Sequence, residues 1–114
     1  MAVRVDPSIS NPQKGDSPMP TRINVPCSGN SGTHTVAKVS DKIIFGTSGN
    51  CTFISFQFVP VDPPPGFANR QPASGGGATV SYDYDGRPVP AAGYEFSYVT
   101  NTPIAGNGTG VIKN

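Results

Sequence analysis

Hydrophobic and polar residues alternate with a period of two in three stretches of this 114-residue chain. In CTFISFQFVP (51–60), Ile54, Phe56 and Phe58 share one face and leave Ser55 and Gln57 on the other. In ATVSYDYD (78–85), Val80, Tyr82 and Tyr84 oppose Thr79, Ser81, Asp83 and Asp85. In GYEFSYVT (93–100), Tyr94, Phe96 and Tyr98 stand opposite Glu95 and Ser97. A strand sends successive side chains to opposite faces, so each stretch predicts a half-buried strand. Shorter candidates are AVRV (2–5), RINV (22–25), HTVAKV (34–39), KIIF (42–45) and GVIK (110–113). No useful length of chain repeats apolar residues at helical spacing, and Pro or Gly interrupts almost every window, which excludes helix as a main element. About eight short strands with turn signals between them predict an all-β sandwich or small barrel.

One connection breaks the pattern. Residues 60–78, PVDPPPGFANRQPASGGGA, show no periodicity, with a stiff polyproline first half and a flexible glycine-rich second half. A structureless connection of that length is uncommon inside a compact domain. It reads as a crossover between sheets that can arch over one end and present Phe67 and Arg70 as a binding loop. Residues 6–20 are also loop-like. The stretch CSGNSGTH (27–34) reads as a hairpin loop.

Composition narrows this picture. The chain fits a single domain, residues 1–114, with 35% hydrophobic residues, 14 Gly and 13 Pro. That lean balance approaches the disordered class, but six Phe and four Tyr supply the large buried areas of a real core. Only 13% of residues are charged, the net charge is +1, and the basic residues are scattered. No cluster can neutralise several phosphates, which argues against nucleic-acid binding. No apolar run is long enough to span a bilayer, and MAVRVDPSIS lacks the apolar core of a signal peptide. The expected location is therefore cytoplasmic, or secreted if a signal has been trimmed. In a reducing cytosol Cys27 and Cys51 are expected as free, buried thiols; paired, they would close a loop worth roughly 3 kcal/mol.

Candidate chemistry is sparse. Asp83 and Asp85 lie two apart on a strand, so they point the same way roughly 7 Å apart. That spacing falls in the range of an inverting glycosidase pair, yet such carboxylates flank a cleft rather than stand side by side on one ribbon. Solvated aspartates leading into an Asp-Gly turn account for every residue of YDYDGRPVP. Cys27 and His34 form a nucleophile–base pair only in outline, since nothing nearby would orient the imidazole. His34 is the sole histidine, so neither a blue-copper site nor a four-ligand zinc site can be assembled, and no cofactor is expected. The sequons at Asn50 and Asn107 matter only in a glycosylating compartment.

Four segments carry a family resemblance: VRVDP (3–7), FISFQFVP (53–60), GYEF (93–96) and the closing VIKN (111–114). Together they resemble the DP-EP family of short bacterial β-sandwich proteins. The resemblance implies one immunoglobulin-like sandwich of seven to eight short antiparallel strands. It also raises self-cleavage by an aspartic-peptidase-like activity at an Asp-Pro bond near the C-terminus, for which Asp83 and Asp85 are the candidate residues. The tail GNGTGVIKN contains no Asp-Pro; the two such bonds are Asp6-Pro7 and Asp62-Pro63. The leading functional expectation is a non-catalytic binding or structural module. AVRV and GVIK are expected as open edge strands, able to add a strand from a second copy or a peptide partner with Phe67 at the contact.

Overall fold

A computed structural model describes residues 20–101 and 105–114, so AVRV lies outside the described residues. Eight strands form: β1 (Thr21–Val25), β2 (Gly29–Thr35), β3 (Lys42–Thr47), β4 (Thr52–Val59), β5 (Phe67–Gln71), β6 (Thr79–Tyr84), β7 (Tyr94–Asn101) and β8 (Gly106–Lys113). They make two four-stranded sheets, ordered β1-β3-β6-β5 and β2-β8-β7-β4. No helix occurs among the described residues. Most pairings are antiparallel as expected, but β1 runs parallel to β3 and β2 parallel to β8. Both exceptions involve the first two strands, which are consecutive in sequence and lie in different sheets.

The core between the sheets is aromatic. From the first sheet come Phe45, Phe67, Tyr82 and Tyr84, and from the second Phe53, Phe56, Phe58, Phe96 and Tyr98, all buried. The sheets meet through ring contacts: Phe45 lies 4.4 Å from Phe56, and Phe58 lies 5.1 Å edge-on from Tyr82. Such tilted and edge-to-face pairs contribute beyond their buried area. The rings need room, and β8 provides it with glycine. Gly108 and Gly110 are the register partners of Tyr98 and Phe96. A Cβ at Gly108 would sit 2.4 Å from the Tyr98 hydroxyl, and one at Gly110 2.4 Å from the Phe96 ring.

Several sequence expectations need correcting. Ile54 is 51% exposed and Phe53 takes the inward place, because the β4–β7 register slips between Phe53 and Ser55. One extra residue in a strand reverses the facing of everything before it. Tyr94 is only half-buried, packed on the rim of the core. The stretch 27–34 is no hairpin loop, since from Gly29 it forms β2 along β8. The 60–78 connection is not structureless, because β5 lies in its middle. GVIK is no edge either: β8 sits between β2 and β7. Cys27 and Cys51 are not free thiols but a disulfide, with Cα atoms 5.9 Å apart.

Candidate functional site

The two aspartates are kept apart in role. Asp83 lies on the outer face of β6, where Lys42 Nζ is 3.5 Å from its carboxylate and Asn69 Nδ2 donates to it at 2.8 Å. Asp85 lies beyond the strand end and folds back on the turn. Its carboxylate accepts from the Arg87 backbone N–H at 2.8 Å and faces the Arg87 guanidinium at 3.4 Å. Each carboxylate thus has its own cation, although both border one shallow hollow of about 310 Å³ with Gly66, Phe67 and Arg87. That is the arrangement of a solvated strand end and an Asx-type turn.

Phe67 and Arg70 are not displayed for binding. The Phe67 side chain is 5% exposed and stacks on Tyr84 at 4.8 Å. Arg70 turns its guanidinium inward, with only a tenth of the side chain exposed. It donates from Nε to the Tyr82 hydroxyl at 3.1 Å and from one terminal nitrogen to the carbonyls of Phe56 at 2.5 Å and Gly75 at 2.8 Å. The other terminal nitrogen donates to the Pro72 carbonyl. Tyr82 in turn donates to Asp62 at 2.6 Å, and Asp62 lies 3.5 Å from Arg70 Nε. Burial, and then the Asp62 carboxylate, hold the Tyr82 phenol well above the ordinary tyrosine range. All three guanidinium nitrogens and the Tyr82 hydroxyl donate to acceptors of the protein itself, so the Asp62–Tyr82–Arg70 group is a clasp that ties β5 to β4 and to the loop after it. The sequence signal was a single Asp and a single Arg, Asp62 and Arg70, in the otherwise uncharged 60–78 stretch, but the inward turn of Arg70 depends on β5, which the sequence pattern does not mark.

The Cys27–His34 pair is closed as chemistry, because the Cys27 sulfur is bonded to Cys51. His34 Nε2 instead meets Ser31 Oγ at 3.1 Å, and burial lowers its pKa. Ser31 Oγ donates to the Thr109 carbonyl, which ties β2 to β8. Among the described residues no three His, Cys, Asp or Glu side chains gather as a metal site.

What remains is a surface. On the outer face of β4, β7 and β8, Ser55, Gln57, Ser97, Val99, Asn107 and Thr109 line a shallow hollow of about 300 Å³. The registers align them in rows: Gln57 beside Ser97 beside Thr109, and Ser55 beside Val99 beside Asn107. Not one is charged. The β4 bulge turns Ile54 outward next to this patch, so two apolar side chains, Ile54 and Val99, stand in a field of hydroxyls and amides. The charges of this face, Glu95 and Lys113, stand at the far end of β7 and β8, and the outer face of the other sheet carries Arg22, Lys42 and Asp83 on neighbouring strands. Comparison with known families, with curated proteins and with solved structures finds no match to this chain.

Proposed function

We propose that this protein is a non-catalytic interaction module that binds another protein through the outer face of β4, β7 and β8. The observation that carries the reading is the absence of charge across that hollow, with Val99 exposed in it and Ile54 exposed beside it. Depletion of charged residues is what distinguishes the centre of a protein interface from ordinary surface. A carbohydrate ligand fits less well, because no aromatic ring is offered for stacking; Tyr98 lies beneath the face with its ring buried. Self-cleavage draws no support from Asp83 and Asp85, each neutralised by its own cation. The layout is consistent with an immunoglobulin-like sandwich, as the DP-EP resemblance implies. Its strand order matches the ABED and CFG sheets, with β2 added beside the last strand. The disulfide favours an oxidising compartment over the cytosol.

The test is a photo-crosslinking side chain placed at Val99, with a control at Ile44 on the opposite sheet, exposed to extract of the source cells. A discrete protein adduct at Val99 and none at Ile44 is the expected result. Equal labelling at both positions, or none at Val99, overturns the reading. Intact mass after days at acidic and neutral pH should give one full-length species, and a shorter product would return self-processing to the front.

A further inference from the structure

Each sheet has two edge strands, and three of the four edges are visibly blunted. β2 shifts register between Asn30 and Thr33 and carries Gly29 and Gly32 at positive φ. β4 is bulged, and the loop before β6 covers it: the Phe53 N–H donates to the Gly77 carbonyl, and Arg70 takes the Phe56 carbonyl. β5 shifts register between Ala68 and Gln71, with Asn69 at φ 51°. Bulges and covering loops are the usual means of stopping one edge from pairing with another. β1, by contrast, keeps one register against β3 over all five residues, Thr21 to Val25.

The direction of its open groups follows from the parallel ladder. In such a ladder alternate residues bond to the neighbour, and the residues between them point their N–H and C=O away. The Val25 carbonyl accepts from the Ser48 N–H, on the β3 side. Thr21, Ile23 and Val25 therefore bond to β3, and the backbone groups of Arg22 and Asn24 face outward, unpaired among the described residues.

We propose that β1 is a self-pairing edge, with a second copy of this chain as its partner, antiparallel and centred on Ile23. In that register Arg22 of one chain lies opposite Asn24 of the other. Each of the two Arg22–Asn24 pairs exchanges two backbone hydrogen bonds, so all the outward groups of both strands are satisfied at once. The side chains agree. Arg22 meets an amide rather than another guanidinium, and like charges directly opposite each other are destabilising. The neighbouring symmetric registers fail on the same grounds. Centring on Arg22 sets two arginines face to face, and centring on Asn24 pairs Arg22 with Pro26, which has no N–H to give. The prolines at 20 and 26 bracket the strand and hold it to one register. This surface is distinct from the hollow on the other sheet, so the inference does not depend on the proposed function.

Sedimentation of the full chain across about 10 μM to about 1 mM tests it, the range in which so small a contact should act. The mean mass should rise from 11.8 kDa toward twice that value. Asn24→Pro removes an outward N–H that β3 does not use, so it should abolish association and leave the melting temperature within a few degrees. Asn24→Asp sets a carboxylate opposite the Arg22 of the second copy and should tighten association about two- to tenfold, an effect that does not rely on Asn24→Pro folding. Hydrogen exchange at the Arg22 and Asn24 amides should slow as concentration rises. A wild type that stays monomeric at the highest concentration overturns the proposal. So does an Asn24→Asp variant no tighter than wild type. Protection of the two amides that is independent of concentration also overturns it, since the edge would then be covered within the same chain.

Discussion

The two sides of the sandwich are closed by different chemistry. At the β4–β5 side the sheets are joined by the clasp, in which one guanidinium reaches across to a β4 carbonyl and is held by Asp62 and Tyr82. At the β1–β2 side the chain itself crosses between sheets, and the crossing is pinned at Cys27 by the bridge to Cys51. Tyr98 and Thr100 add to that pin by donating to the carbonyls of Pro26 and Cys27 at 2.8 and 2.6 Å. The difference is one of vulnerability. A clasp of polar groups acts in the folded state and fails when one member is removed, because the others are left buried and unpaired. A covalent bridge acts largely on the unfolded chain, by limiting the conformations it can reach.

The largest effect expected from this contrast is at Arg70. Arg70→Met should cost roughly 3–5 kcal/mol, read as a shift in urea midpoint, because it takes the cation from Asp62 and the donor from three carbonyls. Replacing the clasp as a whole should behave differently. Arg70→Met combined with Asp62→Leu and Tyr82→Phe should recover most of the loss, since an apolar substitute leaves no buried charge behind. A single Arg70→Met variant as stable as wild type would mean that the guanidinium is held at the surface and the β4–β5 side is closed by packing alone.

Reducing the disulfide is expected to cost somewhat less, about 3 kcal/mol for a bridge spanning 24 residues of sequence. The measurement is the urea midpoint with and without reductant, repeated in Arg70→Met. The two sides share no partners, so the losses should add to within about 0.5 kcal/mol. A clear excess in the double perturbation would show that the closures act as one unit through the aromatic core.

How far the sequence could be read follows from the same geometry. Strands with apolar residues on one face and polar ones on the other, β6 and β7, were legible, and Tyr82, Tyr84, Phe96 and Tyr98 all point inward as their alternation requires. β4 was legible only beyond its bulge; a slip at Ile54 leaves no mark in a run where Phe53 and Ile54 are both apolar. β8 hid its inner face because Gly108 and Gly110 occupy it, and a glycine that makes room for a ring looks like a loop residue. β2 and β5 were missed for a related reason. They are edges with polar residues on both faces, where no hydrophobic period survives. The uncharged hollow was invisible because it gathers residues from three strands, each of which alone shows only ordinary hydroxyls and amides. The disulfide was misjudged because pairing depends on where Pro26 carries Cys27, and spacing alone does not give that.

The smallest effects distinguish the two sides by pH. Tyr82 belongs to the clasp and Tyr98 to the crossing, and each phenol donates one hydrogen bond across its side. Tyr82→Phe should cost about 1–2 kcal/mol near neutrality, and Tyr98→Phe about 1 kcal/mol, because the acceptor left behind is a carboxylate in the first case and a neutral carbonyl in the second. Burial raises the pKa of both phenols, and for Tyr82 the Asp62 carboxylate adds to it. Above the ordinary tyrosine value of 10.0 the unfolded chain releases these protons while the folded chain keeps them. Stability is therefore complete below that pH and falls as pH rises past it. Urea midpoints at pH 8 and at about pH 10.5 measure the slope. Tyr82→Phe should remove the larger part of it and Tyr98→Phe the smaller, since only Tyr82 has a carboxylate opposing ionisation. A slope left unchanged by Tyr82→Phe would mean that its phenol ionises in the folded chain as readily as in the unfolded one, against the burial and the Asp62 carboxylate that oppose it.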